Sequence, residues 1–259
     1  RTAELNPNYE MFIVEAAKMN KPTIVVLQTG SAVIAGDWSK RASAVVEMWL
    51  GGESGGKAIA KILAGKVNPS GKLPETFPKK LRTDFDYPGD GLKVRYNEGL
   101  DVGYRYYDKH PEEIGYPFGH GLSYTKFEYK SAEVNLNGGC INIKVNVKNT
   151  GEFDGAETVQ VYIGASNVTY TRPIKELKGF KKKFIKKGEE REFEFSIPMA
   201  EVGYYNIMLH AWVTEPGIYD VMIGSSSRDI KFKKSVEYKT EPPYSMENTG
   251  SDMIGGSNE

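Results

Sequence analysis

The sequence has one cysteine, three histidines and no excess of charge of either sign, and each shortage excludes a class of protein. Cys140 alone can form no internal disulfide, and no four-cysteine zinc site can be built. Lys plus Arg and Asp plus Glu both number 34, so we expect neither nucleic acid nor an anionic membrane surface as a partner. No apolar run reaches the roughly 18 residues that a membrane-spanning helix needs. The histidines, His110, His120 and His210, do not lie at metal-ligand spacing, so we predict neither a metal nor a cofactor.

The chain is nevertheless long enough for a large core, and its first 65 residues have the pattern of an α/β layer. Asn6 as N-cap and Pro7 at the first helical position predict the start of a helix. Two β-branched runs, 23–27 and 44–50, predict parallel strands buried on both faces, and a helix is predicted over 57–63. Because a covered parallel sheet needs more βα units than these, we expect part of the layer to lie upstream.

The glycine-rich run 51–56 precedes this helix and has two interpretations. Exposed backbone N–H groups at a helix start favour anions, which would suit a phosphate site. The run lacks the lysine and hydroxyl pair of a P-loop and the GxGxxG spacing of a dinucleotide fold. An ordinary strand-to-helix turn is therefore favoured, and an unrelated α/β ligand-binding domain with an adhesive sandwich remains a weaker hypothesis.

The rest of the chain divides into a loop region, a β region and a tail. Residues 73–122 are rich in proline and tyrosine and have no sustained period. Alternation of apolar and polar residues from Ser123 onward, with turns at 149–151 and 187–189, predicts an antiparallel sandwich of immunoglobulin or fibronectin type III kind. The predicted organisation is a partial α/β layer over 1–122, a sandwich over 123–239 and a flexible linker or tail over 240–259.

Carboxylates in the loop region alternate with tyrosines, a combination that sugar sites use. Aromatic rings stack on apolar sugar faces, while carboxylates accept hydroxyl protons and perform acid–base catalysis. The same residues could equally form hydrogen-bonded scaffolding within the loops, and their spacing assigns no catalytic pair. They are Asp84, Asp86, Asp90, Glu98, Asp101 and Asp108, with Tyr87, Tyr96, Tyr104, Tyr106 and Tyr107.

Four longer motifs resemble a known family. The runs NPSGKLPETFP at 68–78, YNEGLDVGYRYYD at 96–108 and YPFGHGLSYTKFEY at 116–129 are similar to the C-terminal part of glycoside hydrolase family 3, typified by β-glucosidases. RPIKELKGF at 172–180 resembles a run in that family's fibronectin type III-like domain. The resemblance covers roughly residues 1 to 234 in order, and the tail after about residue 240 lies outside it.

The resemblance implies part of a retaining β-glucosidase that hydrolyses terminal β-D-glucosyl residues. In such enzymes an aspartate in a (β/α)8 barrel forms a glycosyl-enzyme intermediate, and a glutamate acts first as acid and then as base. The barrel and its Ser-Asp-Trp motif do not occur in this sequence, and Arg1 resembles the last residue of the acid/base stretch. We therefore expect both catalytic carboxylates to be absent and the chain alone to be inactive.

The expected partners are a β-glucoside or cello-oligosaccharide and the missing barrel segment of the same enzyme. Glu53, Tyr96 and Glu98 are the candidate substrate-binding residues at outer sugar subsites. Each also has a structural interpretation: helix-dipole complementation for Glu53, packing for Tyr96, and pairing with Arg95 or Arg105 for Glu98. A fragment, a processed product and one segment of a permuted enzyme are all compatible with the sequence, as is a non-catalytic carbohydrate-binding or structural module. One cysteine and no visible export signal are compatible with a cytoplasmic bacterial enzyme.

Overall fold

The computed structural model describes residues 3–82 and 91–239, together with the backbone of residues 244–246. Helices and short strands form the part before about residue 122, and antiparallel sheets form the part after it. Each part has its own cluster of buried apolar side chains. The elements of the first part are α1 (Pro7–Ala17), β1 (Ile24–Leu27), α2 (Asp37–Arg41), β2 (Ala44–Glu47), α3 (Gly55–Leu63), β3 (Phe77–Pro78), α4 (Tyr104–Lys109) and β4 (Ile114–Tyr116).

Helix α1 begins where its capping residues predict. The Asn6 side chain accepts a hydrogen bond from the backbone N–H of Asn8 at 3.0 Å, which satisfies one of the free donors of the first turn. Ile13 packs on the apolar cluster of this part, whereas Tyr9 and Phe12 on the same helix are 61% and 66% exposed. The apolar stripe of α1 is thus only partly covered by the described residues.

Strands β1 and β2 are parallel, as expected, but in the part of the chain that the structure describes they are buried on one face and not, as predicted, on both. Val25 and Leu27 point into the core, while Ile24 and Val26 are 49% and 40% exposed. The residues that the structure describes cover one face of this sheet with helix and loop and leave the other face partly exposed. Successive side chains of a strand point to opposite faces, so only every second residue is buried.

Strand β2 is also shorter than its apolar run predicts. It ends at Glu47, whose Oε1 accepts a hydrogen bond from the backbone N–H of Trp49 at 2.7 Å. Trp49 has a φ of 51°, so the chain turns here rather than continuing to Leu50, which is 80% exposed. The predicted helix after this turn is α3, which begins two residues earlier than expected.

The second part is a sandwich of a four-stranded and a three-stranded antiparallel sheet, as predicted. The strand orders are β13-β12-β7-β8 and β5-β6-β9, and a third, small sheet has the order β10-β11-β14. Ile141, Ile143, Val145 and Val147 on β6 are all buried, in agreement with the alternation. The strands are β5 (Phe127–Asn137), β6 (Cys140–Asn149), β7 (Gly155–Ser166), β8 (Glu176–Ile185), β9 (Glu190–Pro198), β10 (Tyr204–Asn206), β11 (Ala211–Thr214), β12 (Gly217–Gly224), β13 (Ile230–Tyr238) and β14 (Tyr244–Met246).

Part of the expected flexible tail is therefore a strand. The backbone of Tyr244–Met246 pairs antiparallel with β11. Residues 240–243 and 247–259 lie outside the described residues.

Two lysines join the sheets along one side of the sandwich, where β8 and β9 are the last strands of their sheets. The Nζ of Lys181 donates to the backbone carbonyl of Glu194 at 2.5 Å. The Nζ of Lys183 donates to the carbonyl of Glu192 at 2.7 Å. These carbonyls belong to the free edge of β9, so side chains satisfy acceptors that no strand reaches.

Strand β7 is buried on both faces. Val159 and Val161 point into the sandwich core, as alternation predicts. Gln160 and Tyr162, on the opposite face, are only 3% and 0% exposed. The loop region of the first part covers this second face.

Candidate functional site

The three predicted substrate-binding residues lie in two loops of the first part. Glu53 is exposed, in the turn that follows the carboxyl end of β2 and precedes α3. Tyr96 is 80% exposed and Glu98 is half-buried, both in the 91–103 segment, which we call the exposed loop. Arg105, considered as a partner of Glu98, instead contacts Glu176 of the sandwich at 2.8 Å.

Most of the other carboxylate and tyrosine candidates form scaffolding where the structure describes them. Asp84, Asp86, Tyr87 and Asp90 lie outside the described residues. Asp101 pairs with Lys109 at 2.7 Å, and its backbone carbonyl accepts a hydrogen bond from Arg82. The Tyr106 ring lies under the Arg82 guanidinium at 3.8 Å and stacks on His110.

Asp108, predicted as a possible sugar-site carboxylate, is buried in an ion pair with Lys175 of the sandwich. Their side chains are 2% and 5% exposed, and Arg228 lies 3.9 Å from the same carboxylate oxygen. Burial raises the pKa of Asp108 and lowers the pKa of Lys175, while their contact opposes both shifts. The Oδ2 atom of Asp108 has no hydrogen-bond partner among the described residues. This carboxylate therefore joins the two parts of the chain and does not face a substrate.

The neighbouring aromatic residues continue the same contact. The Tyr104 hydroxyl accepts a hydrogen bond from the backbone N–H of Leu177 at 2.7 Å. Its ring stacks on Phe118 at 4.7 Å and meets Tyr162 of β7 edge-on at 5.9 Å. Ring pairs in these geometries stabilise packing by about 0.5 to 1.5 kcal/mol beyond their buried area. Helix α4 is thus held on the outer face of the four-stranded sheet.

The 68–78 and 116–129 motifs pair with each other at this interface. The backbone N–H of Gly119 donates to the carbonyl of Leu73, and the backbone N–H of Leu73 donates to the carbonyl of His120, both at 2.8 Å. The Asn68 side chain accepts from the backbone N–H of Tyr124 at 2.9 Å and donates to the carbonyl of Asp154 at 2.9 Å. The prediction of a structural role for 68–78 agrees with these contacts.

Gln160 organises the centre of the interface and was not singled out from sequence. Its Nε2 donates to the carbonyls of Gly119 at 3.0 Å and Ser225 at 2.7 Å. Its Oε1 accepts from the Tyr162 hydroxyl at 2.6 Å. The only sequence signal was a strand whose second face is polar, and such a face is normally interpreted as facing solvent.

A second buried ion pair lies near the other end of β7. Lys72 contacts Glu157 at 3.3 Å, with side chains 14% and 6% exposed. The Tyr129 hydroxyl donates to the same Glu157 oxygen at 3.1 Å. Burial raises the pKa of Glu157, and the Lys72 charge opposes this shift.

Among the residues that the structure describes, one cluster could be considered for a metal ion. Potential ligand atoms of His110, Glu112 and Glu113 lie within 4.8 Å of one another. Lys80 contacts Glu113 at 2.7 Å, so an ammonium group already pairs with one of the carboxylates.

In the described part of the chain, no helix is long and apolar enough to cross a membrane.

Comparison with known proteins gives this architecture a class. The glycosyl hydrolase family 3 C-terminal domain matches residues 1–124, and the fibronectin type III-like domain matches residues 157–227. Thermostable β-glucosidase B of Acetivibrio thermocellus is 44% identical over 91% of this chain and 32% of its own length. An exo-α-(1→6)-L-arabinopyranosidase of Bifidobacterium longum is 38% identical over 88% of this chain and 31% of its own length.

Solved structures agree with the sequence matches. A β-glucosidase of Kluyveromyces marxianus in complex with glucose superimposes with a TM-score of 0.88 and 37% identity, covering 95% of this chain and 30% of that one. The two domains, joined in this order through a buried interface, define the class of this chain as a glycosyl hydrolase family 3 C-terminal domain followed by a fibronectin type III-like domain. It belongs to glycoside hydrolase family 3, and it spans about a third of the length of the relatives that it matches.

Proposed function

We propose that this chain is part of a retaining β-glucosidase and contributes its scaffold and outer sugar subsites. The main support is that both domains together match β-glucosidases. The match covers 91% of the chain in the sequence comparison and 95% in the structural comparison. The nucleophilic aspartate and the acid/base glutamate would reside in a barrel segment that this chain does not contain. The chain by itself is then inactive.

The exposed apolar surface of the first part supports the proposal that a further segment of the enzyme packs on it. Phe12 on α1 and Ile24 and Val26 on β1 are between 40% and 66% exposed. At about 25 cal/mol per Å² of apolar surface removed from water, covering such side chains would stabilise the assembly substantially. The barrel segment is the occupant that we propose, and residues 1–122 are the portion that it would contact.

Glu53, Tyr96 and Glu98 remain our candidates for contacts with the sugar beyond the scissile bond. Glu53 follows the carboxyl end of a parallel strand, which is where ligands bind in open α/β sheets. The Tyr96 ring is exposed enough to stack on a sugar face, and Glu98 lies two residues away in the same loop. A β-glucoside or cello-oligosaccharide is the proposed substrate class.

A second specificity is favoured by one relative. The arabinopyranosidase of Bifidobacterium longum is nearly as similar to this chain as the β-glucosidases are. The portion shared with it therefore suits more than one glycone, and an α-L-arabinopyranoside is the alternative substrate.

The test compares the product of the full-length gene with the 259-residue chain. Both are incubated with p-nitrophenyl β-D-glucopyranoside and p-nitrophenyl α-L-arabinopyranoside, and the anomer released is determined by NMR. We expect the full-length product to hydrolyse the glucoside with retention and the chain to release no nitrophenol. Hydrolysis by the chain alone, or sugar binding by the chain with an inactive full-length product, would instead support a self-sufficient enzyme or a carbohydrate-binding module.

A further inference from the structure

The exposed loop, which holds Tyr96 and Glu98, leads directly into α4. Helix α4 begins at Tyr104, one residue after the loop ends. It is only six residues long, and none of its residues belongs to either cluster of buried apolar side chains, so it does not hold its own position through a core. The C-terminal end of the loop is therefore fixed by the contacts that α4 makes with the sandwich, together with those to Phe118 and Arg82 in the first part.

Three of these contacts reach one short segment, 175–177, at the start of β8. Asp108 pairs with Lys175, and Arg105 contacts Glu176 at 2.8 Å. The Tyr104 hydroxyl accepts a hydrogen bond from the backbone N–H of Leu177. Successive residues of the segment thus bind successive sites on one face of the helix. A rotation or a slide of α4 would break all three contacts together.

The sandwich in turn holds this segment rigidly. Arg172 contacts Glu176 at 3.2 Å and donates to the carbonyl of Val202 at 2.9 Å. Glu176 is also a member of β8, whose register with β7 includes the pair Ile163 and Glu176. In this way the core of the sandwich fixes the position of α4.

The ion pair of Asp108 and Lys175 is the most constrained of the three contacts. Both side chains are at least 95% buried, and one carboxylate oxygen has no partner among the described residues. A charge removed from water is stable only beside a counter-charge, and Lys175 is the nearer of the two cations beside Asp108, with Arg228 at 3.9 Å, so the pair resists separation. Such a pair gives little net stability but strong geometric definition.

We infer that Asp108 and Lys175 are positioning residues through which the fibronectin type III-like sandwich sets the exposed loop at the outer sugar subsites. This inference rests on the proposed function, since it takes Tyr96 and Glu98 to contact the substrate. The sandwich then contributes to substrate affinity without touching the sugar. The loop is anchored at its C-terminal end through α4, and Asp101 adds contacts with Arg82 and Lys109.

The chain offers a matched control for this inference. Lys72 and Glu157 form another buried ion pair between the loop region and the sandwich, and Lys72 lies in the 68–78 motif, away from the exposed loop. Lys175→Met and Lys72→Met each remove a lysine and leave a buried carboxylate behind. Each remaining carboxylate keeps one polar neighbour, Arg228 at 3.9 Å from Asp108 and the Tyr129 hydroxyl at 3.1 Å from Glu157, and the two variants differ in whether the lost contact holds α4.

Steady-state kinetics of the full-length product with cellobiose separate the two roles. We expect Lys175→Met to raise KM about threefold to tenfold with kcat within about twofold, because weakened positioning reduces binding of the outer sugar. Lys72→Met should lower the melting temperature about as much as Lys175→Met does, but it should leave KM within about twofold of the unchanged protein. Equal KM changes in the two variants, or an unchanged KM in Lys175→Met, would overturn the inference.

Hydrogen exchange keeps the inference testable if the proposed function fails. Amides of residues 91–103 should exchange about tenfold faster in the Lys175→Met chain than in the Lys72→Met chain. An inactive full-length product together with this exchange pattern would reject the substrate assignment and retain the anchoring. The same exchange rate in both variants would reject the anchoring itself.

Discussion

The backbone of Gly119 lies so close to the side-chain amide of Gln160 that no β-carbon fits between them. Gly119 also has a φ of 78°, and its carbonyl accepts a hydrogen bond from Gln160 at 3.0 Å. The loop region thus approaches β7 backbone-first. Only glycine permits both this approach and this dihedral angle.

Gly119→Ala should therefore lower the free energy of unfolding by about 2 to 4 kcal/mol, through overpacking and backbone strain combined. Gly138→Ala is the matched control, because Gly138 has a φ of 60° and open space where its β-carbon would lie. It should cost about 1 kcal/mol through strain alone. Urea denaturation measures the free energy of unfolding of both variants. Equal decreases would show that the Gln160 side chain moves away from the new β-carbon without loss of stability.

Gln160→Leu tests the hydrogen bonds at the same place. The change leaves the carbonyls of Gly119 and Ser225 and the hydroxyl of Tyr162 without their partner, at an expected cost of about 2 to 4 kcal/mol. Asn146→Ala, which removes a surface hydrogen bond to Ser131, should change stability by less than about 0.5 kcal/mol. A Gln160→Leu protein as stable as Asn146→Ala would contradict the assigned network.

Strand β7 shows where sequence patterns predict the fold and where they fail. Alternation identified Val159 and Val161 as core residues because the period of two follows directly from strand geometry. It could not show that Gln160 and Tyr162 are buried as well. Their cover comes from Tyr104, Phe118 and Gly119, in a stretch whose sequence has no period, and the docking of one stretch on another is a tertiary property.

His120 should make stability depend on pH. Burial and the nearby Lys72 charge lower the pKa of His120 below its usual 6.5, against the opposite influence of Asp229. Below that pH the unfolded chain binds a proton that the folded chain does not, so the free energy of unfolding should fall as the solution is acidified. His120→Phe keeps a ring against Tyr116 and should show a smaller fall between about pH 7.5 and about pH 5.5.

Thermal unfolding at the two pH values checks this expectation. Lys72→Met provides a second variant, since removing the positive charge takes away one cause of the lowered pKa and should also reduce the pH dependence. If the free energy of unfolding of the His120→Phe protein falls on acidification as much as that of the unchanged protein, groups other than His120 cause the pH dependence.

Tyr96→Ala should separate binding from stability. Because Tyr96 is 80% exposed, its loss should change the free energy of unfolding by less than about 0.5 kcal/mol. In the full-length product, losing a stacked ring should raise KM for cellobiose by about threefold to tenfold. Phe184→Ala, which removes a ring that is 57% exposed on the sandwich, is the control and should leave KM unchanged.

The candidate site was harder to predict than the fold for a physical reason. Composition groups Glu98 and Asp108 together, as acids among tyrosines, yet the structure leaves Glu98 half-buried in a loop and places Asp108 against Lys175. A carboxylate looks the same in sequence whether its counter-charge is 67 residues away or absent. Only the folded arrangement separates a docking residue from one that remains available to a ligand.

The lysine contacts between β8 and β9 have a consequence for association between molecules. A strand from a second molecule would have to displace Lys181 and Lys183 before it could reach the carbonyls of Glu194 and Glu192. The displaced ammonium groups would then repel one another in the new sheet. This side of the sandwich is consequently a poor template for intermolecular sheet growth.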